Sequence, residues 1–299
     1  MPEDLPQDAP LDAAWLRSAV ECALHEDLGH APGRDVTTQP TIPSTTQVSG
    51  AVVFRDSGVV AGLAVIPEVL SQVAVRLDLP VPQVDLLASD GDVVGAGTTV
   101  ANVAGAGHVV LIAERTILNF MSRASGVATH TRRWADALEG TGARVLDTRK
   151  TTPGLRELEK YAVRCGGGTN KRMGLYDCAM VKDNHIVAAG SVRGAIEAIG
   201  QRFPDVPIQV EVEGRAQAME AIEAGVRFLM LDNMTPDAMR ALVAEVRGLE
   251  SAVGQVRLEA TGGLTLENAR DVALTGVDFM SVGGLTHSSP IVDIALDLH

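Results

Sequence analysis

The stretch RVLDTRKTTPG, residues 144–154, runs from an apolar strand straight into Asp147, Arg149 and Lys150 and stops at Pro153-Gly154. Side chains alternate between the two faces of a strand, so adjacent cations share a side only where the ladder has ended. Burying either charge alone is costly, and the simplest missing partner is an anion. A second stretch, EKYAVRCGGGTNKRMGLYDCAMVKDNH (159–185), places three glycines before Asn170-Lys171-Arg172 and delivers Lys182 at the end of the next apolar run. Taken alone, such a run serves equally well as a solvated loop. Together with Arg149 and Lys150 it reads as a cationic cluster, in which arginine forks suit carboxylates and lysines suit phosphate oxygens. Glu211 and Asp232 bring carboxylates to the same rim, to neutralise the lysines, to bind a sugar diol or to hold Mg²⁺. Thr261-Gly262-Gly263 and Gly283-Gly284 have the composition of turns whose backbone N–H groups cradle a phosphate. His185 and His287 read as structural. Cys22, Cys165 and Cys178 form an odd set without CxxC spacing, which indicates neither a disulfide framework nor a zinc site.

These residues need elements to hold them. Residues 13–27 carry Trp15, Leu16, Ala19, Val20, Ala23 and Leu24 on one helical face, with Asp12 as N-cap. From 46 to 107 short β-rich runs punctuated by glycine, with one helix near 66–77, predict a small α+β domain, and a long helix follows over 108–139. Strands are then expected at 144–148, 179–182, 208–213, 228–232, 256–260 and 279–282, with amphipathic helices in most of the gaps. Alternating β and α units imply a parallel sheet, open or closed into a barrel, with functional groups at the carboxyl ends of its strands. All six predicted ends are polar or glycine-rich, and a sheet built only for stability has no need of that.

The chain of 299 residues is 46% hydrophobic but only 3% aromatic, so its core is aliphatic. A formal charge of −13 argues against a nucleic-acid or anionic-membrane binder. Residues 143–185 nevertheless hold nine Lys and Arg against five Asp and Glu, a +4 island that leaves −17 on the remainder. No apolar run has the length of a membrane span. The acidic, proline-rich start MPEDLPQDAP is unlike a signal peptide, and the expected compartment is the cytoplasm.

The motifs DTRKTTPGLRELEKYAVRCGGG, NKRMGLYD, VKDNH, EVE, LDN, LEATGG and SVGGLTHS, with HEDLGHAPGRDVTT (25–38) and ERTILNFMSRASGVATHTRR (114–133), resemble in order those of the quinolinate phosphoribosyltransferase family. The resemblance implies an amino-terminal α/β sandwich domain over 1–117, an incomplete α/β barrel over 118–287, and a tail near 288–299 that returns to the first domain. It implies transfer of a phosphoribosyl group from phosphoribosyl pyrophosphate to quinolinate, with Mg²⁺, giving nicotinate mononucleotide, pyrophosphate and CO₂ for NAD biosynthesis. It further implies a homodimer in which Arg115 reaches the neighbour's site. Arg149, Lys150, Lys171, Arg172 and Lys182 are then expected to line the quinolinate and pyrophosphate sites. Lys150 and Lys182 would stabilise the leaving charge, Glu211 and Asp232 would face ribose and metal, and Thr261, Gly262, Gly263, Gly283 and Gly284 would hold the 5′-phosphate. Two departures stand out: the family pattern has His where Lys171 stands and Ser where Thr261 stands. Lysine carries a fixed charge and lacks imidazole's acceptor nitrogen, which favours an electrostatic role at 171. Two other readings are a barrel aldolase using Lys182 as a Schiff base, which leaves the other cations unexplained, and a sensor that binds a phosphorylated metabolite without turnover.

Overall fold

The computed structural model describes residues 9–299, so the proline-rich start lies almost wholly outside the described residues. In chain order the first elements are α1 (Ala13–Leu28), α2 (Thr38–Thr41), β1 (Gln47–Phe54), β2 (Gly58–Val59), α3 (Val65–Leu77), β3 (Gln83–Leu86), β4 (Val93–Val94), β5 (Thr99–Ala106) and α4 (Gly107–Ala137). There follow β6 (Arg144–Leu146), α5 (Arg156–Cys165), β7 (Ala179–Val181), α6 (Asp183–Ala189), α7 (Val192–Arg202), β8 (Ile208–Val212) and α8 (Arg215–Glu223). The series ends with β9 (Phe228–Asp232), α9 (Pro236–Val253), β10 (Arg257–Thr261), α10 (Leu266–Ala273), β11 (Phe279–Ser281), α11 (Gly284–His287) and β12 (Ile294–Leu298). No described helix is long and apolar enough to cross a membrane.

Two compact units interleave along the chain. One gathers Arg133–Lys150 and Gly168–Leu285; the other gathers the described residues up to Arg132 together with Thr151–Gly167 and Thr286–His299. The break expected at 117/118 falls inside α4, where helical hydrogen bonding continues without interruption. Residues 151–167, expected within the barrel, group instead with the amino-terminal unit.

In the amino-terminal unit, α1 starts at Asp12, whose Oδ1 accepts the Trp15 N–H at 2.6 Å. Leu16, Val20 and Leu24, spaced one turn apart, form its buried stripe. A four-stranded antiparallel sheet runs in the order β12-β1-β5-β3, so the first and the last strands in the chain share one ladder.

In the other unit a six-stranded parallel sheet has the order β6-β11-β10-β9-β8-β7. From β7 to β11 each strand neighbours the next in sequence, and the first, β6, pairs with the last, β11. The sheet therefore curls round as an incomplete α/β barrel with one seam, between β6 and β7. Thr169 partly lines the free edge of β6, donating to Val145 O (2.9 Å) and accepting from Asp147 N (3.2 Å). Alternation along the strands sends one residue in two inward. Leu146, Phe228, Met230 and Phe279 pack there as a core cluster with Met180 against it. The Phe228 and Phe279 rings stack at 5.8 Å, and the guanidinium carbons of Arg144 and Arg257 lie 5.4 and 6.0 Å from the Phe279 ring centroid. In a chain so poor in aromatics, two of its five phenylalanines are spent on this plug.

Candidate active site

Above the plug, at the carboxyl ends of the strands, lies a cavity of about 360 Å³ lined by Thr148, Arg149, Lys150, Lys171, Arg172, Met180, Lys182, Glu211, Met230, Thr261 and Ser281. Every one of the six barrel strands, or the turn that leaves it, contributes to this lining. The strand alternation that buries Leu146, Phe228 and Phe279 lower down directs Thr148, Met230, Thr261 and Ser281 into the cavity.

The cations are held by local structure. Asp147 is fully buried at the end of β6; its carboxylate accepts from Asn170 Nδ2 (2.6 Å) and from the Lys171 backbone N–H (2.9 Å). That clamp sets the course of the loop after the three glycines and sends Lys171 into the barrel. There its Nζ lies 2.6 Å from Glu259 Oε1 and 2.9 Å from Met230 Sδ. Arg172 turns back to donate to the Cys178 carbonyl at 2.8 Å, and Asp177 accepts from Met173 N (2.6 Å) and Gly174 N (3.3 Å) to close the same loop. Burial, and after it the neighbouring charge of Arg149, pushes the Arg172 guanidinium below its ordinary value. Two like charges crowd each other in this cavity, an arrangement that an anion relieves. Lys182 pairs with Glu211 at 2.5 Å on the more open side.

The cavity thus brings together Arg149, Lys150, Lys171, Arg172, Lys182, Glu211 and Thr261 of the residues singled out from sequence. Asp232, Gly262, Gly263, Gly283 and Gly284 are not in its lining. Asp232 ends β9 and accepts from Asn233 Nδ2 at 2.8 Å. Asn233 adopts φ 51° and donates its N–H to Thr261 O at 2.9 Å, stitching the ends of β9 and β10. Gly262 (φ 85°) and Gly263 (φ 60°) follow in the left-handed region, and a Cβ at Gly262 would collide with the Asn233 side chain. Arg115 is exposed on α4, within the amino-terminal unit. His185 accepts the Lys182 N–H (3.1 Å), and His287 bonds Ser288 Oγ (2.6 Å), both local roles. All three cysteines are free.

Sequence reasoning assigned no role to Asp147, Asp177 or Glu259. Asp147 and Glu259 were visible as acidic residues near strand ends, but only the fold shows which loop and which lysine they serve. Among the described residues no group of three or more His, Cys, Asp or Glu is arranged to hold a metal. Glu211 and Asp232 remain as two carboxylates. That donor set fits Mg²⁺, which keeps several waters and takes one or two carboxylates together with substrate phosphates.

The family model described as the C-terminal domain of quinolinate phosphoribosyl transferase matches residues 127–297, and that of the N-terminal domain matches 35–125. The chain belongs to the quinolinate phosphoribosyltransferase family. A nicotinate-nucleotide pyrophosphorylase (carboxylating) of Mycobacterium leprae is 44% identical over 291 residues, 97% of this chain and 99% of that one. A probable enzyme of the same name from Bacillus subtilis is 40% identical over 91% of this chain and 90% of its own length. Among solved structures, the nicotinate-nucleotide pyrophosphorylase of Francisella tularensis superposes with a TM-score of 0.86 at 32% identity, covering 99% of both chains. Members of the quinolinate phosphoribosyltransferase family thus share both the sheet domain and the incomplete barrel described here.

Proposed function

We propose that the cationic cavity at the carboxyl end of the barrel is where this chain acts as a quinolinate phosphoribosyltransferase, the decarboxylating transferase that supplies nicotinate mononucleotide for NAD biosynthesis. One observation carries the assignment of the site: five cations from three successive strand exits and loops line one cavity, with Arg149 crowding Arg172. Quinolinate has two carboxylates and phosphoribosyl pyrophosphate several more negative charges, so a cleft that takes both requires such a set.

Arg149 and Arg172 suit the planar carboxylates, and Lys150 and Lys182 suit the diphosphate. The pyridine nitrogen attacks C1 of the ribose while the C1–oxygen bond breaks and its electron pair leaves on pyrophosphate. Lys150 and Lys182 offset that departing charge, and Glu211 and Asp232 face the electron-poor sugar. The new pyridinium accepts the electron pair of the bond to the 2-carboxylate, CO₂ departs, and C2 takes up a proton. No covalent enzyme intermediate is needed. Glu211 and Asp232 would hold a Mg²⁺, which would supply positive charge to offset that of the pyrophosphate leaving group. The Thr261-Gly262-Gly263 and Gly283-Gly284 turns are assigned to the 5′-phosphate. Arg115 is assigned to the site of a second copy in a homodimer. The family pattern supports both assignments. The domain limits 1–117 and 118–287 remain the reading of catalytic organisation, although compactness divides the chain differently.

The test is an assay of quinolinate against nicotinate that follows CO₂ and pyrophosphate together. Removing one carboxylate strands part of the cationic set, and efficiency is expected to fall on the order of a hundredfold or more. Comparable turnover of nicotinate would overturn the substrate assignment.

A further inference from the structure

Lys171 and Glu259 stand 88 residues apart in sequence and meet inside the barrel. The Lys171 side chain is 7% exposed and the Glu259 side chain is fully buried. Around the ammonium the barrel offers Glu259 Oε1 at 2.6 Å and the Met230 sulfur at 2.9 Å. Met230 and Lys171 both line the cavity, whereas Glu259 lies outside its lining. The carboxylate therefore approaches the ammonium from within the barrel core, and the ammonium faces the cavity from the other side. Glu259 Oε2 makes no hydrogen bond, so the carboxylate serves this lysine and nothing else that donates to it. The Asp147 clamp holds the lysine backbone, and Glu259 meets the ammonium.

We propose that Glu259 is a positioning residue for the reaction: from within the barrel it fixes the Lys171 ammonium at the cavity floor, and through it sets the affinity for a carboxylate of the pyridine substrate. This rests on the proposed function of the cavity. It also alters the electrostatic role expected of position 171. The lysine charge is balanced from behind, so Lys171 offers the substrate a fixed hydrogen-bond donor with little net charge. Attraction over distance is left to the remaining cations of the lining.

The experiment is a double-mutant cycle with Lys171→Met and Glu259→Leu, in which the double variant replaces a buried ion pair by apolar residues of similar volume. Each protein is checked for folding by thermal melting, and KM for quinolinate, KM for phosphoribosyl pyrophosphate and kcat are measured. Glu259→Leu is expected to raise the quinolinate KM about tenfold, the usual weight of a hydrogen bond to a charged group, with the other two constants changed less than about threefold. The double variant should match Lys171→Met alone, because Glu259 acts only through the lysine. An unchanged quinolinate KM in folded Glu259→Leu would sink the proposal, as would effects that multiply in the double variant. Should Glu259→Leu fail to fold, Glu259→Gln, isosteric and uncharged, is read in the same way. Absence of CO₂ and pyrophosphate from the wild-type protein would instead refute the function assigned to the cavity.

Discussion

Glu159 is fully buried in the amino-terminal unit, and its carboxylate accepts four hydrogen bonds: Arg123 Nε (3.0 Å), Arg123 Nη2 (2.6 Å), Thr152 Oγ1 (2.7 Å) and Thr152 N (3.0 Å). The same guanidinium donates to the carbonyls of Ser289, at 2.9 Å, and Thr286. One ion pair thus ties α4, the segment that follows Lys150 and the segment leading into β12. Glu159→Ala leaves the Arg123 cation without its counter-ion and the Thr152 N–H without an acceptor. Removing one partner of a buried pair costs about 3–5 kcal/mol. Arg123 is 19% exposed and keeps its two carbonyl acceptors, which places the expected loss near the lower end, about 3 kcal/mol. At roughly 2–4 °C per kcal/mol for a protein of this size, the melting temperature should fall by about 6–12 °C. Urea denaturation followed by far-UV circular dichroism measures the loss as a lower midpoint at unchanged slope. A loss below about 1 kcal/mol would show that solvent compensates the guanidinium, and the reasoning from burial would fail.

Burial pushes the Asp90 carboxyl above the usual carboxylate range, and the Tyr161 hydroxyl, 2.5 Å away, pulls it part of the way back. Folded Asp90 holds its proton more tightly than the unfolded chain does, so its contribution is lost as pH rises through the raised value. Tyr161→Phe is therefore expected to cost about 1.5–3 kcal/mol at pH 7 and less at pH 4; thermal melts showing equal losses would refute this. Gly262→Ala puts a side chain at φ 85° against Asn233 and should cost about 1–3 kcal/mol, with a raised KM for phosphoribosyl pyrophosphate. An unchanged KM would remove the turn from the phosphate site. If the site is shared between two copies as proposed, Arg115→Ala and Arg172→Ala proteins should each be nearly inactive. Co-folding the two in equal amounts should restore about a quarter of wild-type activity, since half the dimers are mixed and each has one intact site. No recovery, with mixed dimers verified by mass, would remove Arg115 from the neighbour's site.

The barrel strands were legible because each is a short apolar run ending in polar chemistry. The expected 228–232 is the observed Phe228–Asp232, and 179–182 is Ala179–Val181 with Lys182 just beyond. Helix 108–139 is Gly107–Ala137, and the Asp12 cap is present as expected. Contacts that join distant segments were not legible. Nothing periodic in residues 151–167 separates them from barrel segments, because an amphipathic helix such as α5 can present its apolar face to either unit. The Lys171–Glu259 pair and the Tyr161–Asp90 bond, the latter 71 residues apart, depend on the closure of a sheet and on a loop's path. Glu211 illustrates the intermediate case. Its place on the rim followed from the strand end, but its pairing with Lys182 needed the adjacency of β7 and β8.

β1 gives one edge to β5 and the other to β12, with Gly50 opposite Leu298 and Phe54 opposite Ile294. The pairing is reinforced by Arg55 and Asp297, 2.5 Å apart in space and 242 residues apart in sequence. At a synthesis rate of roughly 5–20 residues per second, β1 waits on the order of 10–50 s on the ribosome before its second neighbour exists. Throughout that interval an apolar, β-branched edge around Ala51-Val52-Val53-Phe54 has its outer backbone groups open to any extended chain that passes. The hazard of unwanted strand addition therefore belongs to the nascent chain more than to the finished molecule. It should respond to translation speed and to chaperones that cover the growing sheet.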